Sequence, residues 1–108
     1  MVKLKIKPLS VNAAWRGKRF KTHAYNDFEL EMLALIPKQK IPDGNLHVTL
    51  EFGFSNKNSD LDNPTKLTID CLQKRLGFND NRIYLLTLHK TIVKKGDEFI
   101  RFDIKPTT

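Results

Sequence analysis

The chain has 108 residues, 40% of them hydrophobic and 29% charged, with a formal net charge of +7. That length suits one domain spanning 1–108, large enough to bury a core without disulfides or a structural metal. No run approaches the ~20 apolar residues of a membrane span, and the single cysteine, Cys71, cannot close an intrachain disulfide, so the expectation is a cytoplasmic protein with no membrane partner.

The N-terminal MVKLKIKPLS alternates apolar and basic residues from Val2 to Lys7, as a strand with one buried face does, where a signal peptide would carry an apolar block. Pro8 ends it. The loop that follows contains WRGKRFK, Trp15 to Lys21, in which Arg16, Lys18, Arg19 and Lys21 surround two aromatics and a glycine. Cations there can meet phosphates while the rings stack on unpaired bases. The plainer alternative is a solvated loop anchored by Trp15 or Phe20.

Between Thr22 and Ile36, the residues Tyr25, Phe28, Met32, Leu35 and Ile36 fall on one helical face, with Thr22 as N-cap. Pro37 and Pro42 stop that helix. Leu46, Val48, Leu50, Phe52 and Phe54 then alternate with polar or small residues, a strand that ends at SNKNS. A second helix follows, with Asn63 expected as N-cap, Pro64 as first helical residue and Gly77 as the stop. Ile83–Lys94 and Glu98–Lys105 read as two strands joined around KKGD in a hairpin. The order β-α-β-α-β-β argues one α+β domain with a mixed sheet and two helices.

The stretch SDLDNPTKLTIDCLQKRLGFND, Ser59 to Asp80, concentrates the chemistry. In an extended segment, Asp60 and Asp62 point the same way and Leu61 turns to the core. Two carboxylates held so close call for a cation, and hard oxygen ligands suit Mg²⁺ or Mn²⁺. On the helix, Lys66, Asp70, Gln73 and Lys74 make one polar stripe opposite Ile69, Leu72 and Leu76. Lys66 lies in the first turn, where the helix dipole favours anions. Something else should therefore justify it, such as an adjacent carboxylate, a phosphate or a developing charge. Asp80 falls past the helix end and rejoins this region only through a returning loop or a second copy of the chain. The alternatives are that the acidic residues only cap the helix and that Lys66 with Asp70 is only an i,i+4 ion pair. A calcium loop of EF-hand type fails, since Asn63 would stand where glycine is needed and Ile69 where glutamate is needed.

DLDNPTKLTID followed by LGFNDNRIY resembles the RusA family of Holliday junction resolvases, and PLSVNAAWRGKRF resembles that family's N-terminal segment more loosely. The resemblance implies a RusA-like fold and a metal-dependent endonuclease acting on branched DNA such as four-way junctions, working as a homodimer. It implies that Asp60, Asp62 and Asp80 bind Mg²⁺, with Mn²⁺ as substitute, and that Lys66 is the catalytic lysine. Arg16, Lys18, Arg19 and Lys21 would hold phosphate backbones. The alternative is a non-catalytic DNA-binding accessory protein with a degenerate metal site.

Overall fold

The computed structural model describes residues 1–10, 15–16 and 20–107, with Trp15, Arg16, Phe20 and Lys21 described by their backbone alone. Its elements are β1 (Val2–Leu4), β2 (Trp15–Arg16), β3 (Phe20–Lys21), α1 (His23–Leu35), β4 (Leu46–Phe54), α2 (Asp62–Leu76), a 3-10 turn (Asp80–Arg82), β5 (Ile83–Ile92) and β6 (Phe99–Pro106). Four strands form one mixed sheet in the order β1-β6-β4-β5, with two helices packed on one face. This is the expected α+β architecture. The small β2–β3 ladder, which pairs Trp15 with Lys21 and Arg16 with Phe20, stands apart from it and was not expected.

Period-two alternation places the core. Leu46, Val48, Leu50, Phe52 and Phe54 of β4 are all buried, and Leu4, Ile100, Phe102 and Ile104 continue the same layer on the neighbouring strands. The helices close it with Tyr25, Phe28, Met32 and Ile36 from the first, and Leu67, Ile69, Cys71 and Leu72 from the second. Thr22 caps α1 as expected, its hydroxyl accepting from the Tyr25 N–H at 3.2 Å. Lys74 and Glu29, 2.8 Å apart, link the two helices. None of the described helices is long and apolar enough to cross a membrane.

The opposite sheet face is polar and self-satisfied. The His47 Nε2 lies 2.8 Å from the Thr87 hydroxyl. Glu51 accepts from the Thr91 hydroxyl at 2.6 Å and from Arg101 at 3.2 Å. Phe99 covers Gly53 there, between the Lys3 ammonium at 4.7 Å and the Arg101 guanidinium at 5.5 Å from its ring centre.

The expected hairpin of β5 with β6 is corrected. Instead, β5 pairs parallel with β4, and β6 pairs antiparallel with the other side of β4. The connection from Val93 to Glu98 crosses about two strand spacings, roughly 10 Å, which six residues span easily. The reason lies in the neighbours' burial. β4 needs a strand on each side, and β6, with Phe99, Ile100, Phe102 and Ile104 buried, takes the inner position. β5 is left at the edge, largely exposed.

Candidate functional site

The site is built on α2 and on the loop that returns beside it. Its apolar residues Leu67, Ile69, Cys71 and Leu72 press it onto the sheet. The Thr65 and Thr68 hydroxyls donate back to the Leu61 and Pro64 carbonyls at 2.6 and 2.8 Å, which satisfies both buried side chains within the helix. Lys74 and Arg75 lie in the last turn, where the dipole favours cations. Gly77 ends the helix in the left-handed region at φ 75°, its N–H donating to the Gln73 carbonyl at 2.9 Å.

The start of the helix differs from the sequence expectation. Leu61 is already in the helical region at φ −66°, ψ −34°, and the helix begins at Asp62 with no side-chain cap bond. Asn63 is therefore not the N-cap, and Pro64 is the third helical residue. Proline is tolerated there because first-turn N–H groups have no intrahelical acceptor. Since the Asp60–Asp62 segment is not extended, its two carboxylates do not share a side by strand alternation. Asp60 instead lines a groove of 460 Å³ beside Lys7, Asn56, Asn58 and Asn63. Lys90 braces the loop before it by donating to the Lys57 and Ser59 carbonyls.

Asp80 is brought back by a returning loop within one chain. The buried Phe78 ring anchors the loop, and the Asp80 N–H donates to the Gln73 side-chain oxygen at 2.8 Å. Asn79 caps the 3-10 turn through the Asn81 N–H at 3.0 Å. Arg82 ties the far side down by donating to the Gly44 carbonyl at 3.1 Å and to the Pro42 carbonyl. Asp80 thus stands beside Gln73, and the long Lys66 side chain covers the remaining distance. The Lys66 ammonium lies 3.0 Å from Asp70 and 3.5 Å from Asp80, and Gln73 also donates to Asp70 at 3.4 Å. The bond to Asp70, reinforced by the charges of Asp70 and Asp80, raises the Lys66 pKa above its ordinary value against a smaller opposing effect of burial.

Asp62, Lys66, Asp70 and Gln73 follow spacings of four, four and three, and so share one exposed stripe of the helix. The structure therefore joins Lys66 to Asp80 and to Asp70, with Asp62 a turn away and Asp60 in a separate groove. Gln73, Phe78, Asn79 and Arg82 are the positioning residues that sequence reasoning missed. Only Gln73 carried a signal, its place on the polar stripe.

Among the described residues, no group of three or more His, Cys, Asp or Glu side chains stands close enough together to hold a metal ion. The oxygen donors suit Mg²⁺ chemically, but their arrangement does not fit it as it stands: Asp60 lines a separate groove, and Asp80 pairs with Lys66 at 3.5 Å. Of the DNA-binding candidates, Lys18 and Arg19 lie outside the described residues, and Arg16 and Lys21 are placed by backbone only. No family model matches this chain, and no curated protein matches it significantly.

Proposed function

We propose that this chain is an endodeoxyribonuclease acting on branched DNA, as its resemblance to the RusA family implies. The observation that supports this reading is the return of Asp80 onto the α2 stripe beside Lys66. Two residues fourteen apart in sequence, both matching functional positions of the resembled pattern, meet across 3.5 Å. In the reading, Lys66 meets the scissile phosphate and stabilises charge as it builds up. Like any lysine it is protonated at neutral pH, and Asp70 holds its ammonium in place at 3.0 Å. Four-way junctions are the substrate favoured by the resemblance, and a homodimer would supply two related sites for paired nicks. The basic loop, Arg16 to Lys21, would contact phosphates.

A divalent cation held by Asp60, Asp62 and Asp80 would compete with Lys66 for the Asp80 carboxylate, so no step is routed through one here. The same dispersal of carboxylates favours a second reading, a DNA-binding accessory protein without catalysis. One assay separates them. Synthetic four-way junctions and linear duplexes are incubated with the protein, with and without Mg²⁺ or Mn²⁺, and scored for cleavage and for binding. The first reading expects cation-dependent cutting that Asp62→Asn abolishes while junction binding persists. Binding with no cutting under any cation gives the second reading, and wild-type cutting by Asp62→Asn removes the cation role from Asp62.

A further inference from the structure

The groove lined by Asp60 has its own place in the fold. Since β1 and β4 each run antiparallel to β6, they run parallel to one another and end at the same edge of the sheet. The groove lies just beyond those ends. Pro8 and Leu9 follow β1, Phe54 closes β4, and Pro64 belongs to the first turn of α2; together they give it apolar lining. Open α/β sheets take their ligands at this end, outside the carboxyl ends of parallel strands. Its 460 Å³ is the size of a small-molecule site, in which apolar walls surround a few polar groups that fix orientation.

Those polar groups divide into engaged and open ones. The Glu98 carboxylate accepts from the Ser55 hydroxyl and the Gly96 N–H, both at 2.8 Å. The Asn56 side-chain oxygen accepts from the Asn58 N–H at 2.9 Å. Among the described residues, no hydrogen bond or ion pair engages the side chains of Asn58, Asp60 or Asn63. The groove therefore presents one open carboxylate and two open amides.

A carboxylate only accepts hydrogen bonds, so its ligand must bring donors. A cationic side chain would, but Lys7 on the groove and the net charge of +7 oppose it. A neutral flat ring meets no such barrier. Among the bases, guanine alone sets two donors side by side, N1–H and the N2 amine, in the spacing of a bidentate carboxylate pair. Adenine and cytosine place a ring-nitrogen lone pair beside their amine, and thymine flanks its one donor with carbonyls. We infer that this groove binds the guanine base of a nucleotide. Asp60 accepts from N1–H and N2–H, the Asn58 and Asn63 amides donate toward O6 and N7, and Lys7 serves the phosphate. A free mononucleotide and an unpaired guanine in a strand share this chemistry. A paired guanine does not, because its complement already holds the same edge.

The test is calorimetric titration of the whole chain with dGMP, dIMP, dAMP and dCMP in EDTA. Beside it, fluorescence anisotropy compares single strands that carry one guanine or one hypoxanthine at the same place. dIMP lacks only the N2 amine and is expected to bind about tenfold more weakly than dGMP, with dAMP and dCMP weaker still. The two strands should differ by the same factor, since their phosphate contacts are alike, and pairing the base with a complementary strand should erase the difference. Asp60→Asn is expected to melt as the wild type does and to lose the preference for dGMP over dIMP. It should also take dXMP better, because the O2 of xanthine accepts from the new amide. Asn63→Ala should weaken dGMP and dIMP alike. No guanine preference in either the nucleotides or the strands overturns the assignment, as does an Asp60→Asn chain that keeps the preference. Preference among mononucleotides alone makes this a nucleotide site, and preference among strands alone makes it a reader of unpaired bases. The inference stands apart from the nuclease reading. A chain that cuts branched DNA without guanine preference loses only this site, and one that prefers guanine and never cuts loses only the nuclease.

Discussion

Lys66→Ala separates chemistry from folding at the centre of the candidate site. Its ammonium lies 3.0 Å from Asp70 and 3.5 Å from Asp80, yet the side chain is 65% exposed, so water screens both pairs. Exposed ion pairs contribute about 0.2–1 kcal/mol, and the substitution should change stability by no more than about 0.5 kcal/mol. For a domain of this size that is roughly 2–4 °C in Tm. The sign with pH follows from the raised pKa. The small stabilisation is fully present below the ordinary lysine value near 10.5 and is lost as pH rises through the folded-state value. Cleavage is a different matter. On the nuclease reading, Lys66 faces a phosphate that gains charge in the transition state and contributes mostly to rate, so cutting should slow by on the order of a hundredfold. Single-turnover cleavage of a four-way junction at saturating enzyme measures that step apart from binding. On the nuclease reading, wild-type cutting should show no basic limb from Lys66 below pH ~10. A variant that melts normally and cuts at the wild-type rate refutes the assignment and leaves Lys66 as an ion-pair partner of Asp70 and Asp80.

Gly53→Ala sets a new Cβ 2.2 Å from the Phe99 ring, which is itself held between Lys3 and Arg101. Thermal melts should show a loss of about 1–3 kcal/mol, relieved in part when Phe99→Ala is added; a Tm within a degree of wild type would mean the ring turns aside freely. Glu51 has its pKa lowered first by the Thr91 hydroxyl and then by Arg101, against burial. Its stabilisation is therefore present above the ordinary value of 4.5 and lost as pH falls through the lower folded value. Thr91→Val should reduce stability at neutral pH and converge with wild type in acid, as followed by denaturant titration across pH 2–7. Replacing Arg16, Lys18 and Arg19 with alanine should weaken binding to all DNA forms and flatten its salt dependence by about one unit of slope per lost contact. An unchanged slope returns that loop to ordinary solvated surface.

Much of this molecule was legible residue by residue, because the forces involved are local. Thr22 caps α1 through its own hydroxyl, Gly77 ends α2 because left-handed backbone suits glycine, and the alternation in β4 names its buried face directly. The polar stripe of Lys66, Asp70 and Gln73 follows from helical geometry alone. Strand partners are not local. β5 and β6 each carry an apolar pattern compatible with a hairpin, and only competition for the two sides of β4 sends them to opposite edges of it. The start of α2 was misread for a related reason. Asn63 and Pro64 carry a sound capping signature, but Leu61 packs against the core in a helical conformation, and the helix starts earlier, at Asp62. The meeting of Lys66 with Asp80 depends on Phe78 finding the core, Gln73 catching a backbone N–H and Arg82 binding carbonyls about forty residues away. A sequence names the groups that carry the chemistry; which of them meet is decided by long-range packing, because each such contact draws its free energy from partners distant in the chain.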